Sequence, residues 1–278
     1  MISRTSDFAA LEQDPSLWRL ASLIYERCGI DYRDNMFSFA VKAGTRMKAL
    51  GMTCYQYLGY VEHQPDEWDA LIEAITINET YFFREEQQLE ELVRVVLPAL
   101  EGREEIRIWS AACSTGEEPY TLAMTILESG LVPLSRVHIY ATDINRKVLQ
   151  IAEQGFYPKH SMCFRRTPEP MKQRYFDAVP GGYRIKEEIR ERVHFLQWNL
   201  IQDAADVLPV MDIIFCRNVL IYFDAQTIQE VISNLSGRLA DGGYLFLGHA
   251  ETITGMTNEF QTINAPATFY YRKEGGSL

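Results

Sequence analysis

The first part of the chain carries apolar residues at the three- and four-residue spacing of amphipathic helices. The clearest run consists of Leu17, Leu20, Ala21, Ile24 and Tyr25. It is followed by Gly29, where a helix would stop. Further helices are predicted over residues 35–50, from about residue 53, and over residues 65–75. Because no alternating run is long enough for a strand, residues 1–76 are predicted to form a small all-helical domain.

From about residue 104, short apolar runs alternate with amphipathic stretches. The predicted strands cover residues 106–110, 137–142, 193–197, 212–216, 244–247 and 267–272. The predicted helices cover residues 119–129, 146–154 and 225–240, and Asp241–Gly243 is predicted as a turn. Strands that alternate with helices indicate an α/β fold with a doubly wound, mostly parallel sheet. We therefore predict an α/β domain over residues 104–278, joined to the helical domain by a linker helix over residues 77–103.

Residues 156–190 interrupt this alternation. The stretch contains four prolines, and Gly181-Gly182 precedes an alternating sequence over residues 183–186. Prolines and paired glycines are typical of turns, and alternation is typical of a strand. We predict an insertion with a small β-hairpin, which either contacts a partner or is an ordinary surface excursion.

Composition narrows the functional classes. The formal net charge of −11 argues against a nucleic-acid-binding surface. The five cysteines are widely spaced and form no Cys-x-x-Cys, which predicts free thiols in a reducing compartment, with neither a zinc knuckle nor a disulfide framework. Acidic residues near the N-terminus do not fit a signal peptide, and no apolar run reaches the roughly 18 residues of a membrane span. A cytoplasmic protein without membrane insertion is expected.

The most informative stretch is residues 106–120, where an apolar strand leads through small residues into a helix. Ala112 and Gly116 lie in this turn, where small residues let a ligand approach the backbone. Such a turn at the front of an α/β sheet is where nucleotide-like cofactors bind. Glu117 and Glu118 would repel a phosphate, but they suit a cationic or hydroxyl-rich ligand such as S-adenosylmethionine. The alternative is a turn that only packs a helix on a strand.

Polar residues follow three further predicted strands. Asp143 could accept hydrogen bonds from two ribose hydroxyls, or cap the helix that begins at residue 146. Asn199 could bind an adenine edge while Leu200 packs on its face, although asparagine after a strand is also a common turn residue. Arg217 and Asn218 would be costly to bury alone, and a ligand, a salt bridge or a cap could satisfy them.

The segment Asn78–Glu85 lies between the two predicted domains. Thr80 is predicted to cap a helix, and the two phenylalanines of the segment are predicted to be core. If the segment lies over the cleft, Asn78, Thr80 and Arg84 face the ligand, with the last two one helical turn apart. An ordinary amphipathic helix is the alternative.

Lys42, Arg46 and Lys48 stand on the second predicted helix with no acid between them. In a chain of negative net charge, such a local cationic face could attract an acidic partner. The alternative is a solvated helix surface without a partner.

These segments, in this order, resemble the bacterial chemotaxis receptor methyltransferases, the CheR family. The matching pieces are Asn78–Glu85, Trp109–Tyr120, Ala141–Ile144, Asn199-Leu200, Phe215–Phe223 and Gly248–Glu251. The resemblance implies a Rossmann-like methyltransferase sheet with a small all-helical N-terminal domain and a small β-hairpin insertion. It also implies an S-adenosylmethionine-dependent enzyme that forms glutamyl methyl esters on the cytoplasmic helices of chemoreceptors, with S-adenosylhomocysteine as product and no metal.

The resemblance also assigns residues. It implies a cofactor site made of Asn78, Thr80, Arg84, Ala112, Glu118, Asp143, Asn199, Leu200 and Asn218. It places near the reacting methyl group Arg84, Arg217 and Tyr222. The helical domain with its basic helix would dock the receptor, and the enzyme is expected to act as a monomer. A glutamate carboxylate is already a nucleophile, so a dry site that aligns it with the methyl group should accelerate transfer without a general base.

Departures from the family pattern leave other functions open. Ala250 replaces a common serine, and the hairpin over residues 177–183 looks short, as in family members that tend not to bind a receptor tail peptide. One alternative is methylation of another protein or of a small-molecule carboxylate. A second is an adaptor that binds the cofactor without turnover, although the presence of Arg84, Arg217 and Tyr222 argues against it.

Overall fold

A computed structural model of the protein describes residues 8–201 and 207–275. The chain divides into two compact units. The first comprises the chain up to Ile77 together with Tyr222–Thr227, and the second comprises Asn78–Ile221 and the chain from Ile228 onward. The first unit therefore takes in a short segment from the second half of the chain.

The described part of the first unit contains four helices of at least ten residues. They are α1 (Pro15–Cys28), α2 (Met36–Leu50), α3 (Cys54–His63) and α4 (Pro65–Ile75). Gly29 and Gly51 end α1 and α2 with φ angles of 74° and 66°, which glycine adopts without steric cost. Thr53 begins α3 in a capping box with Gln56. Helices α2 to α4 begin within one residue of their predicted positions, so the helical prediction is confirmed.

Apolar stripes on these helices form the core of the first unit. The largest fully buried side chains there are Leu17, Leu20, Phe39 and Tyr57. Short helices are marginal alone in water, so burial of these stripes is what stabilises them.

The second unit is built around a seven-stranded sheet. Its strands are β1 (Ile106–Ala111), β2 (Val137–Asp143), β6 (Val193–Gln197), β7 (Met211–Cys216), β8 (Leu239–Leu247), β9 (Phe260–Asn264) and β10 (Phe269–Lys273). The order across the sheet is β6-β2-β1-β7-β8-β10-β9. The pairs from β6 to β8 are parallel, and β10 and β9 join antiparallel. The predicted doubly wound, mostly parallel sheet is confirmed.

Helices connect and flank these strands. They are α5 (Glu86–Glu91), which continues through a π-helical turn (Leu92–Val96) into α6 (Leu97–Ala99), and α7 (Glu117–Ser129), α8 (Arg146–Gln154), α9 (Glu169–Tyr175), α10 (Glu187–Arg190) and α11 (Ala225–Arg238). Helices α7 and α8 pack against β2 and β6. Strand residues such as Ile108, Ile139 and Phe215 are fully buried. Because the parallel strands run the same way, their carboxyl ends meet at one edge of the sheet.

The insertion forms a second, three-stranded antiparallel sheet. Its strands β3 (Phe156–Pro158), β4 (Phe176–Val179) and β5 (Gly182–Ile185) pair in the order β3-β5-β4. Gly182 is required there, because a Cβ atom would lie 2.2 Å from the carbonyl oxygen of Tyr157. The predicted small β-hairpin is therefore present as β4 and β5.

Two features of the sheet differ from the prediction. Strand β8 runs through Asp241–Gly243, so the predicted turn is wrong. Gly242 has a φ of 74°, and the register against β7 shifts between Met211 and Ile213, so the strand absorbs the glycines as an irregularity. Strand β9 was not predicted, because at the sheet edge its residues lack a clear alternation of buried and exposed positions.

The segment before α5 was predicted to be helical, and it is not. Helix α5 begins at Glu86, so the prediction that Thr80 caps a helix is wrong. Phe83 and Glu85 have φ angles of 60° and 56°, which a right-handed helix cannot contain. Phe82 and Phe83 are buried, as predicted, and the backbone amide of Phe82 donates to the carbonyl of Cys163 (2.9 Å). Contacts with the insertion thus override the local helical pattern.

All five cysteines are buried free thiols, which confirms that prediction. Among residues 8–201 and 207–275, no helix is both long enough and apolar enough to cross a membrane. Within the same ranges, no cluster of three or more His, Cys, Asp or Glu side chains could hold a metal ion.

Candidate cofactor and active site

The loops after four parallel strands carry most of the predicted cofactor residues. Ala112 and Glu118 follow β1, Asp143 ends β2, Asn199 and Leu200 follow β6, and Asn218 follows β7. Backbone bonds tie three of these loops together: the amide of Cys113 donates to Thr142 (2.8 Å), and that of Trp198 donates to Asp143 (3.0 Å). The structure therefore brings these predicted residues to one edge of the sheet.

The turn after β1 has a strained backbone. Ala112, Ser114 and Gly116 all have positive φ angles, of 60°, 51° and 91°. A Cβ atom at Gly116 would lie 2.8 Å from the Cβ atom of Ala152 on α8. Non-glycine residues in this region cost about 1 kcal/mol or more, and such strain clusters at ligand sites. The conformation of the turn is thus fixed by close packing against α8.

Asp143 is held at the end of β2 by two backbone amides. Oδ2 accepts from Ser114 N (2.8 Å), and Oδ1 accepts from Asn145 N (2.9 Å). Burial raises the pKa of Asp143 to about 6, although the backbone hydrogen bonds oppose this rise. A carboxylate can accept more than two hydrogen bonds, so Asp143 can also accept from a ligand hydroxyl. The alternative that Asp143 caps α8 is wrong, because Asn145 is the N-cap.

Glu118 and Arg217 form an ion pair at the same edge. Nε of Arg217 lies 2.6 Å from Oε2 of Glu118, while Oγ of Ser110 donates to Oε1 (2.6 Å). The side chain of Arg217 is only 2% exposed. Its Nη1 also donates to the carbonyl of Arg84 (2.8 Å) and to Oε1 of Gln88 (3.3 Å). The salt bridge considered for Arg217 is therefore present, and its ligand-facing role stays a prediction.

Glu117, the neighbouring acid, occupies a different environment. It is buried, accepts a bond from Oγ1 of Thr115 (2.7 Å), and lines a cavity of about 570 Å³. The cavity lining consists of Asn78, Glu79, Thr80, Thr115, Glu117, Ser161, Met162, Cys163 and Arg165. Burial raises the pKa of Glu117 from 4.5 to about 7. The sequence favoured Glu118 as the cofactor-facing acid, yet Glu117 is the one that shares a cavity with Asn78 and Thr80.

The segment Asn78–Glu85 is linked to the turn after β1. Oγ of Ser114 donates to the carbonyl of Asn78 (2.9 Å). Arg84 is half-buried, donates to the carbonyl of Glu79 (3.2 Å), and lies 5.4 Å from the ring centre of Tyr81. The cation at Arg84 thus remains partly accessible, in contrast to that of Arg217.

Asn199, Leu200 and Tyr222 are placed as follows. Asn199 Oδ1 accepts from Ile201 N (3.3 Å), a local bond of the kind expected for a turn residue. Leu200 is buried, and its carbonyl accepts from Nδ2 of Asn234 (3.1 Å). Tyr222 lies in the first unit, where its carbonyl accepts from Asp31 N (3.3 Å). Their ligand contacts stay predictions.

The three basic residues of α2 have distinct environments. Lys42 Nζ donates to the carbonyl of Ile75 (2.6 Å), and burial lowers its pKa. Arg46 makes a bidentate pair with the buried Glu67 (2.7 and 2.5 Å). Lys48 Nζ lies 4.5 Å from the ring centre of Phe8. Two of the three cations therefore stabilise the helical unit itself, and their docking role stays a prediction.

Sequence reasoning missed several residues of this site. Glu85, Gln88 and Ser110 contact Arg217, Asn218 or Glu118, and the carboxylate of Glu251 binds the backbone of the loop after β7. Glu251 belongs to a segment that was noted, Gly248–Glu251, and the available signal was an acid three residues after a glycine that follows an apolar strand.

Two family models match the chain. "CheR methyltransferase, all-alpha domain" matches residues 15–76, and "CheR methyltransferase, SAM binding domain" matches residues 78–269.

Curated relatives match over most of the chain. Chemotaxis protein methyltransferase 1 of Pseudomonas aeruginosa is 40% identical, with 73% of this chain and 77% of the relative covered. Chemotaxis protein methyltransferase 2 of Vibrio cholerae is 35% identical, with 95% and 94% covered. The probable biofilm formation methyltransferase WspC of P. aeruginosa is 34% identical, with 92% of this chain and 61% of the relative covered.

Proposed function

Because this chain belongs to the CheR methyltransferase family and is an S-adenosylmethionine-dependent methyltransferase, we propose that it methylates glutamate side chains of bacterial chemoreceptors. The product is a glutamyl methyl ester on the receptor's cytoplasmic helices, and S-adenosylhomocysteine is released. Relatives named chemotaxis protein methyltransferase support this substrate.

The residues at the sheet edge fit S-adenosylmethionine, which supplies an electrophilic methyl group on a cationic sulfonium when bound. Asp143 is the observation that carries the proposal, because its two backbone bonds aim a buried carboxylate at the edge where a ribose would be held. Glu117 and Glu118 place carboxyl oxygens at the start of α7, and such oxygens can accept hydrogen bonds from the amino group of the cofactor.

The chain need only hold and orient an acceptor carboxylate, which is itself a nucleophile. Arg84 is the arginine suited to this task, because it is partly accessible, whereas the guanidinium of Arg217 is engaged within the protein. A guanidinium can bind a carboxylate through two parallel N–H groups and so fix the direction of attack. The family resemblance implies that Tyr222 lies near the reacting methyl group, and we propose that its side chain orients the methyl donor or the acceptor.

The proposal extends to partners and location. We propose a cytoplasmic, monomeric enzyme whose helical domain docks the receptor, and the basic residues of α2 support the docking role. The net charge of −11 argues against nucleic acid as a partner.

The test is incubation of the protein with methyl-labelled S-adenosylmethionine and a chemoreceptor cytoplasmic fragment. Label that enters the fragment and is released by mild base is expected, since a carboxyl methyl ester hydrolyses under those conditions. Cofactor binding without transfer to any receptor fragment would contradict the proposal and favour the adaptor alternative.

A further inference from the structure

Asn218 has an unusual backbone at the end of β7. Its φ angle is 59°, in the left-handed region that non-glycine residues rarely adopt, although asparagine tolerates it better than most. Such a conformation persists only where surrounding groups hold it. Two carboxylates hold Asn218, one through its main chain and one through its side chain.

Glu251 holds the main chain. Its Oε2 accepts from the amides of Asn218 (2.8 Å) and Gly248 (2.6 Å). Its Oε1 accepts from the amides of Leu220 (2.8 Å) and Ile221 (3.4 Å). The residue is only 4% exposed. A single buried carboxylate therefore connects the loop after β7 to the loop after β8 through four backbone amides.

The packing of the two loops leaves no freedom at this junction. A Cβ atom at Gly248 would lie 2.6 Å from Nδ2 of Asn218 and 2.7 Å from Oε2 of Glu251. Only glycine lets the β8 loop approach so closely. The side-chain amide of Asn218 is therefore confined between Gly248 on one side and Glu85 on the other.

Glu85 holds the side chain. Its Oε1 accepts from Nδ2 of Asn218 (3.4 Å) and from the backbone amide of His249 (3.3 Å). Its Oε2 lies 3.9 Å from Nη1 of Arg217 and is buried without a hydrogen bond. Because Nδ2 of Asn218 is directed to Glu85, its Oδ1 is the atom left to accept a bond from a ligand.

We propose that Glu251 and Glu85 are positioning residues, which fix Asn218 from the main chain and from the side chain so that its Oδ1 faces the cofactor. This rests on the proposed place of Asn218 in the cofactor site. Neither carboxylate contacts the cofactor in this proposal, so each acts on cofactor affinity through Asn218.

The first test compares Glu251→Gln with Asp212→Asn in the full-length protein, by calorimetric titration with S-adenosylhomocysteine and by thermal unfolding. Asp212 is a matched control: it is also buried and accepts a backbone amide, that of Arg107 (2.9 Å), but it stands at the opposite end of β7. Glu251→Gln replaces one acceptor oxygen by a donor that faces backbone amides, and should weaken binding about tenfold. Asp212→Asn should lower Tm without changing the Kd.

The outcomes are separable. Equal Kd in wild type and Glu251→Gln, or an equal loss in both variants, would overturn the role of Glu251. If the wild type does not bind S-adenosylhomocysteine, the proposed cofactor site itself fails, which is a different result.

The second test is a double-mutant cycle of Glu85→Ala with Asn218→Ala, which remains informative even if Glu251→Gln does not fold. Glu85→Ala should weaken binding several-fold in the wild-type background and have no further effect when Asn218 is already alanine. The same loss in both backgrounds would show that Glu85 acts through another group and would overturn its assignment.

Discussion

Arg217 and Glu118 form a buried ion pair, with Nε of the arginine 2.6 Å from Oε2 of the glutamate. Their partners lie on two separate parts of the chain, at Ser110 on β1 and at Arg84 and Gln88 around the start of α5. The pair therefore binds the end of β7 to the start of α7 and to the segment before α5. Arg217, for which the family resemblance implies a place near the reacting methyl group, is thus also a structural centre of the loops at this sheet edge.

Arg217→Ala is expected to destabilise the protein by about 3 kcal/mol, because removal of one partner leaves the other charge buried and unpaired. Urea unfolding at neutral pH measures this loss. Because Glu118→Gln keeps a neutral acceptor for Ser110, it should cost less than Arg217→Ala. A change below about 1 kcal/mol for Arg217→Ala would contradict the central place of this pair.

Asp143→Ala should weaken the binding of S-adenosylhomocysteine, because the ribose acceptor is lost. Tyr222→Phe should leave this binding unchanged and mainly slow methyl transfer. Calorimetric titration and single-turnover transfer rates separate the two effects. Equal cofactor affinity in wild type and Asp143→Ala would rule out the ribose role.

The raised pKa of Glu117 predicts a pH-dependent stability. Its carboxyl has a pKa of about 7 when folded and 4.5 when unfolded, so the folded protein retains a proton that the unfolded chain loses. Its contribution to stability is present below about pH 4.5 and is lost as the pH rises through about 7. Glu117→Gln cannot ionise, so it should gain stability relative to wild type across this range, by up to about 3 kcal/mol.

The measurement is urea unfolding of the wild type and of Glu117→Gln at pH 5 and pH 8. These two pH values are chosen because the pKa of Glu117 is 4.5 when unfolded and about 7 when folded. If the difference in free energy of unfolding between the two proteins is the same at both pH values, Glu117 does not cause the pH dependence. Thr115 donates to Oε2 of Glu117, and the glutamine oxygen can accept the same bond.

Gly116→Ala should be more destabilising than Gly130→Ala. Both glycines have a positive φ, so both substitutions cost about 1 kcal/mol of backbone strain. At Gly116 the new Cβ atom would also lie 2.8 Å from Ala152, whereas nothing lies within 4 Å at Gly130. The overpacking adds about 1–3 kcal/mol. Similar Tm values for the two variants would contradict the close approach of the turn to α8.

Substitutions of the basic residues of α2 should distinguish a role in stability from a role in receptor docking. Arg46→Ala leaves the buried Glu67 without its cation and should lower the stability of the helical unit by about 3 kcal/mol. Lys48→Ala should change stability little and raise the KM for a receptor fragment, if this helix docks the receptor. Thermal unfolding and initial-rate kinetics test the two halves. An unchanged KM for Lys48→Ala would remove it from the docking surface.

The predictable parts of the fold were those governed by local chemistry. The spacing of apolar residues and a terminal glycine such as Gly29 predicted the helices, and short apolar runs predicted most of the strands. The same reasoning failed at residues 78–85, where tertiary contacts impose left-handed conformations at Phe83 and Glu85. Local propensity is a weak guide wherever packing opposes it.

The site residues at the ends of strands were predictable from the sequence, whereas those brought in by long-range contacts were not. Asp143 and Asn218 follow strands, so topology alone placed them at the same edge of the sheet. Glu85 accepts a hydrogen bond from Asn218, which lies 133 residues later in the chain, and a contact at that separation leaves no periodic signal in the sequence. The preference for Glu118 over Glu117 rested on resemblance, and only the structure revealed that Glu117 lines the cavity beside Thr80.

The most direct test of the account is mass-spectrometric mapping of a chemoreceptor cytoplasmic fragment after reaction with the protein and S-adenosylmethionine. Glutamate side chains are expected to gain the mass of one methyl ester, mild base should remove it, and Glu→Gln substitution in the fragment should abolish it. Modification of other residues, or of no residue while S-adenosylhomocysteine still binds, would contradict glutamate methylation.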